Sequence, residues 1–175
     1  MAKMVEKKNA KLEPWKRDAL QKAIDAAEVA AGQIADCPRA LVPVAVAQFL
    51  LESNWGKAGM GDAHNYFGIK ARDGEPFVTK STREFIRGVE TTVEARFRAY
   101  GSMSDCFADH ARLLTQRTRK DGRKIYAAAL AHPNDPRAFA RALTGVYATD
   151  PAYGRKLVAI MESRGLLETY GFQGL

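Results

Sequence analysis

The sequence predicts an α+β domain, mostly α, in which one small β-hairpin lobe interrupts a set of helices. Three observations carry that prediction. Apolar residues recur at helical spacing along most of the chain, and period-two alternation is confined to one stretch at about 66–100. No internal repeat or low-complexity linker divides the 175 residues, a length that gives a single domain an adequate core.

The elements follow in order. Residues 1–17 hold Lys3, Lys7, Lys8, Lys11, Lys16 and Arg17 against Glu6 and Glu13, and read as a basic, solvated tail. From Asp18 to Ala35, Leu20, Ile24, Ala27 and Ala31 form one apolar stripe, the pattern of an amphipathic helix. A second helix, Pro43 to Ser53, takes Pro43 as its first residue and is apolar nearly all round until Gln48 and Glu52, as a core helix is. Gly56, Gly59 and Gly61 then impose a loop. Asp73-Gly74 and Arg87-Gly88 are turn signals, and Val93, Ala95, Phe97 and Ala99 alternate with charged residues as in a half-buried strand. Ser102 and Asp105 form a variant capping box ahead of Phe107, Ala111 and Leu114. Further helices are expected from Arg123 to Ala131, from Pro136, and from Asp150-Pro151 to Gly165. The domain proper is therefore 18–175, behind the tail of 1–17.

Composition narrows the function. A net charge of +7 and a pI near 9.5 favour a polyanionic partner. No helix-turn-helix, RRM or zinc-finger pattern is present, so nucleic acid is not the expected partner. Cys37 and Cys106 form no CxxC pair and read as buried thiols, and His64, His110 and His132 lack metal-ligand spacing. No metal or cofactor is expected. No apolar run reaches the roughly 20 residues of a membrane helix, and no apolar segment follows the basic start as in a signal peptide. The expectation is synthesis in the cytoplasm, no membrane insertion, and a monomer.

Glu52 is the candidate for chemistry. It closes the apolar helix, where the partial negative charge of the helix end and apolar neighbours disfavour ionisation of a carboxyl, as a general acid requires. Position alone fits an exposed helix-end Glu equally well. Tyr147 lies in a loop between helices, suited to a cleft, and Asp150 reads as a helix cap before any sugar contact. Trp55, Tyr66 and Tyr100 are candidates for stacking on sugar faces, whereas Phe67 reads as core.

The segment AQFLLESNWGKAGMGDAHNYFGIKA, Ala47 to Ala71, resembles glycoside hydrolase family 73, the flagellar-rod and autolysin N-acetylglucosaminidases, whose pattern is AQ-x-x-LES-x-WG followed by N-x-FGIK. Thr82-Arg-Glu84-Phe85, Phe97-Arg-Ala-Tyr100 and Tyr147-Ala-Thr-Asp150-Pro151 with Tyr153 continue the resemblance to about Glu162. Asn54 and Phe85 depart from it, standing where the family has a small residue and Tyr.

The resemblance implies a lysozyme-like fold and hydrolysis of the β-1,4 bond after N-acetylglucosamine in peptidoglycan glycan strands. It makes Glu52 the acid, Glu84 the second carboxylate and Tyr147 a residue near the reacting centre. Trp55, Asn65, Tyr66, Tyr100 and Tyr153 are the expected substrate contacts. Glu75, Glu90 and Glu94 rival Glu84, and the substrate's own acetamido group could serve as nucleophile. The basic surface would meet anionic wall or envelope polymers, and the setting expected is a phage or prophage endolysin acting on the wall after release. A muramidase or lytic transglycosylase of the same fold and a non-catalytic wall-binding module are the alternatives.

Overall fold

In the computed structural model, residues 2–86 and 89–172 are described, with side chains apart from those of residues 2–4, 83–86 and 90. The element order is α1 (Ala2–Asn9), α2 (Pro14–Gly32), α3 (Leu41–Glu52), a short 3-10 turn (Gly61–Ala63), β1 (Phe77–Ile86), β2 (Val89–Arg98), α4 (Met103–Gln116), α5 (Ala127–Leu130), α6 (Pro136–Ala142), α7 (Tyr153–Arg164) and α8 (Leu166–Thr169). This is the α+β arrangement the pattern predicts. Among the described residues, no helix is long and apolar enough to cross a membrane.

The all-round apolar helix is the hub, as its composition requires. Val44, Val46, Ala47 and Phe49 of α3 are fully buried, and α2, α4, α6 and α7 all pack against it. Its C-terminal residue, Glu52, therefore reaches the surface on a helix that the whole core holds still.

β1 and β2 form an antiparallel hairpin in register from Phe77↔Arg98 to Ile86↔Val89. Val93, Ala95, Phe97 and Ala99 are half-buried or buried while Glu94 and Arg96 between them are exposed, the alternation the sequence predicts, with full burial in the described part reached at Ala95 and Phe97 near the base. Ten residues per strand give a ribbon roughly 30 Å long at 3.3 Å per residue. The base is sewn to the preceding loop: Arg98 N–H donates to Ile69 O at 2.9 Å and Ala71 N–H to Arg96 O at 3.0 Å. The Arg87-Gly88 turn lies outside the described residues.

Several boundaries differ from the sequence reading. The segment read as a tail folds as α1, with Val5 and Asn9 buried. Asn9 donates to Arg164 O at 3.0 Å and Lys8 ion-pairs with Glu168, contacts more than 150 residues away along the chain and invisible to local pattern. α2 starts at Pro14, which supplies the fixed φ of a first helical position. α3 starts at Leu41, so Pro43 sits in its first turn rather than at its first position.

The helix expected over Arg123 to Ala131 shrinks to α5, because Thr118 pairs with Lys124 and Asp121 organises a turn through Arg123. α7 begins at Tyr153 rather than at Pro151. Asp150 still braces that start, accepting from Ala152 N–H at 2.8 Å and from Lys156 Nζ at 2.6 Å. The Ser102 cap is present: its Oγ accepts from Asp105 N–H at 3.1 Å and donates to the Asp105 carboxylate at 2.8 Å.

Candidate active site

Glu52 is exposed at the mouth of a cleft of about 920 Å³. The chain leaves α3 by a sharp turn in which Asn54, Trp55 and Gly56 all take left-handed backbone, at φ +47°, +61° and +86°. Asn tolerates that conformation better than most residues and gives the family departure at position 54 a backbone reason. Ser53 pins the turn: its hydroxyl donates to Phe49 O at 2.6 Å and accepts from Gly56 N–H at 2.8 Å. The loop swings away, and Glu52 is left at the cleft.

Two tyrosines stand at Glu52. Tyr147 and Tyr153 stack with ring centroids 5.7 Å apart and planes at 17°. Burial above all, and then the Glu52 charge, hold the Tyr147 hydroxyl well above the ordinary phenol range. Burial, the neighbouring Tyr147 and the Glu52 carboxylate do the same to Tyr153. Both stay neutral donors at any working pH. Gln48, fully buried one helical turn before Glu52, donates from Nε2 to the Tyr153 hydroxyl at 2.9 Å. The buried amide thus fixes a phenol in the neighbourhood of the Glu52 carboxyl.

The rest of the cleft comes from distant segments. The loop from Phe67 to Arg72 lines the cleft with α4, which contributes Asp109, Arg112, Leu113 and Gln116 at helical spacing on one face, and with Arg117, in extended backbone just past the helix end. Tyr126 and Tyr147 close the Glu52 end. Arg98 bridges Glu75 at 3.0 Å and Asp109 at 3.1 Å, and Asp109 also accepts from the Tyr100 hydroxyl at 2.7 Å. His110 is fully buried behind this wall, stacked on Phe67 at 3.8 Å and edge-on to Tyr147 at 5.9 Å. Burial pushes its imidazole down to about 3, so it is neutral. Its two ring nitrogens and Gln48 Oε1 have no hydrogen-bond partner among the described residues. Such groups are rare in folded cores and concentrate at working sites.

Of the residues singled out from sequence, the structure gathers Glu52, Tyr147 and Tyr153. Tyr153 lies buried behind the cleft wall. Glu84 has its backbone in β1 opposite Thr91, and its side chain lies outside the described residues, as does that of Glu90. Glu75 lines the cleft but is engaged by Arg98, while Glu94 is exposed on β2 and accepts from Ser81.

The other expected sugar contacts sit elsewhere. Trp55 packs against the core with Arg164 and Lys16 over its ring at 5.2 and 6.0 Å. Tyr66 packs on Phe49 and on Gly59, where a Cβ would come within 2.2 Å of the Tyr66 ring. Asn65 is buried and spent on backbone, donating to Ile69 O and Arg98 O, both at 2.8 Å, and accepting from Ile69 N–H at 3.0 Å. Tyr100 is buried, with its hydroxyl given to Asp109.

Sequence alone does not single out Gln48, His110, Tyr126, Arg112 or Arg117 as site residues. A lone amide on an apolar helix face, one turn from the candidate acid, was the available signal for Gln48. Cys106 is buried, with its thiol pushed up to about 12, and Cys37 is half-buried. Among the described residues no group of His, Cys, Asp and Glu could hold a metal ion.

The glucosaminidase family profile, described as mannosyl-glycoprotein endo-beta-N-acetylglucosaminidase, matches residues 30–166. The exo-glucosaminidase LytG of Bacillus subtilis (strain 168) is 36% identical over 129 residues, 73% of this chain and 45% of that protein. The chain thus spans less than half the length of such curated relatives, and 33% of a probable N-acetylmuramidase from Lactococcus lactis subsp. lactis (strain IL1403), to which it is 34% identical over 82% of its own length.

Among solved structures, the catalytic domain of the autolysin Auto from Listeria monocytogenes superposes with a TM-score of 0.77 at 26% identity, covering 90% of this chain and 88% of that one. A peptidoglycan hydrolase mutant from Sphingomonas sp. A1 gives 0.64 at 33% identity, covering 85% of this chain and 99% of that one. The profile match over most of the chain, together with the lysozyme-like architecture shared with these structures, means that the protein belongs to the glucosaminidase family, glycoside hydrolase family 73.

Proposed function

We propose that the protein hydrolyses the β-1,4 bond after N-acetylglucosamine in peptidoglycan glycan strands, with Glu52 as general acid. The observation that carries this reading is the placement of Glu52: exposed at an open cleft, on the end of a core helix, and beside the stacked pair Tyr147 and Tyr153. A glycan seated in the cleft would cover Glu52, supplying the desolvation that the free protein lacks. Its proton passes to the glycosidic oxygen as the bond to the anomeric carbon breaks. Glu84 then deprotonates a water that attacks that carbon, or Glu84 or the acetamido oxygen bonds to it first and water displaces that bond, while Tyr147 steadies the developing charge with a neutral hydroxyl. The second carboxylate must come within about 5 to 10 Å of Glu52 for retaining or inverting chemistry. A hairpin whose buried residues and loop hydrogen bonds, among the described residues, lie near its base is suited to bring it there when glycan binds.

The net charge of +7 supports attraction to anionic wall or envelope polymers. Relatives carry the names exo-glucosaminidase and probable N-acetylmuramidase, which differ in the sugar whose bond is cut. Digesting purified sacculi and identifying the new reducing end by mass spectrometry separates these. N-acetylglucosamine ends support the proposal, muramic acid ends replace it with a muramidase, and anhydro-muramic products make it a lytic transglycosylase.

A further inference from the structure

The cleft is asymmetric in charge. Five cationic side chains, Lys70, Arg72, Arg98, Arg112 and Arg117, line it against three carboxylates, Glu52, Glu75 and Asp109. Glu75 and Asp109 both hold Arg98, so the carboxylates away from Glu52 are consumed by one guanidinium. Arg72 and Arg117 have no ion-pair partner among the described residues, and Arg112 has only a hydrogen bond to the neutral Gln33, at 3.3 Å. All three are exposed along the cleft: Arg72 on the loop, Arg112 on α4 and Arg117 on the extended chain just past its end. A neutral sugar polymer gives no reason for this arrangement. Uncompensated guanidiniums along a groove suit carboxylates, which they can bind through two parallel N–H groups.

We propose that Arg72, Arg112 and Arg117 form a carboxylate subsite that recognises the acidic substituents on the muramyl sugars of the strand. This rests on the reading of the cleft as a peptidoglycan site and deepens it. The enzyme then selects peptidoglycan over uncharged N-acetylglucosamine polymers, and the carboxylates come from one of two sources. One is the short peptide on the muramyl lactyl group; the other is the lactyl carboxylate left when that peptide is removed.

The test compares the wild type with an Arg72→Gln/Arg112→Gln/Arg117→Gln variant on two substrates, peptide-bearing strands and amidase-stripped strands. Inhibition by neutral chitohexaose is measured alongside. The variant should lose roughly tenfold or more in kcat/KM on the acidic strands, mainly through KM, with chitohexaose inhibition within about twofold of wild type. Salt should weaken wild-type turnover and leave the variant nearly unchanged.

Loss confined to peptide-bearing strands identifies the peptide carboxylates as the ligand; loss confined to stripped strands identifies the lactyl carboxylate, and equal loss on both shows that the subsite takes either. Equal weakening toward chitohexaose, or no loss on either strand, overturns the subsite. Calorimetric binding of the same ligands, with both proteins in a Glu52→Gln background, reads the subsite without catalysis. An inactive wild type that still binds acidic strands through these arginines would then count against the proposed reaction and for the subsite.

Discussion

The motif between Ala47 and Ala71 divides into two regions that face opposite ways. On one side of the turn at Asn54–Gly56 stands Glu52, with Tyr147 and Tyr153 brought to it from the far end of the chain. On the other side Trp55, Asn65 and Tyr66 are packed into scaffold, beneath cations, against Gly59 and onto backbone. The residues are neighbours in sequence and look alike as site candidates. The difference teaches that a continuous family motif mixes chemistry with the framework that aims it, and that side-chain type does not sort the two. Buried hydrogen-bond partners do.

Asn65 is the strongest test of the scaffold side. Asn65→Ala strips partners from Ile69 N–H and Arg98 C=O, and should cost about 2–4 kcal/mol of stability. Chemical denaturation measures that loss, and turnover per folded molecule should stay near wild type at low temperature. A stable Asn65→Ala protein with collapsed kcat would move Asn65 to the catalytic side.

The hairpin gives the next largest effect. Glu84→Gln should lower kcat on glycan by about a hundredfold, with Glu90→Gln and Glu94→Gln within a few-fold of wild type. Comparable losses in all three would make Glu84 a hairpin residue and leave the second step to the acetamido group.

The tyrosine pair sharpens the catalytic side. Tyr147→Phe should cost roughly tenfold in kcat, with the thermal midpoint within a degree or two, since the lost group is a hydroxyl at the cleft. Tyr153→Phe should lower both, because it also leaves the buried Gln48 amide without its acceptor. Identical behaviour of the two variants would dissolve the distinction between cleft and support.

Removing residues 1–12 should have the smallest effect. The contacts of Lys8 and Asn9 with the end of α7 and with α8 are few, so the thermal midpoint should fall by only a few degrees. Cleavage of soluble fragments should be unchanged and wall binding at low salt weakened. Wall binding equal to that of the full chain at both low and high salt would show that this segment serves the fold alone.

These contrasts also explain what was legible in advance. The helices and the hairpin follow from periodicity, because each buries a face set by its own spacing. Glu52 followed from its motif and its helix end. The docking of α1 was hidden, since Asn9 is secured by Arg164 and Lys8 by Glu168, 155 and 160 positions away. The side on which Trp55 would fall was hidden too, being set by three left-handed residues rather than by any pattern of polarity. Gln48, His110, Tyr126 and the arginine wall converge from α3, α4, a loop and the edge of α5, and only the tertiary fold brings them together.

The central claim is that Glu52 donates the proton. Glu52→Gln keeps size and hydrogen-bonding shape while removing the acid. On purified sacculi, reducing-end release by this variant should fall by about a hundred- to ten-thousand-fold, with glycan binding and thermal midpoint close to wild type. Release within tenfold of wild type, by a variant that folds and binds normally, would contradict the account.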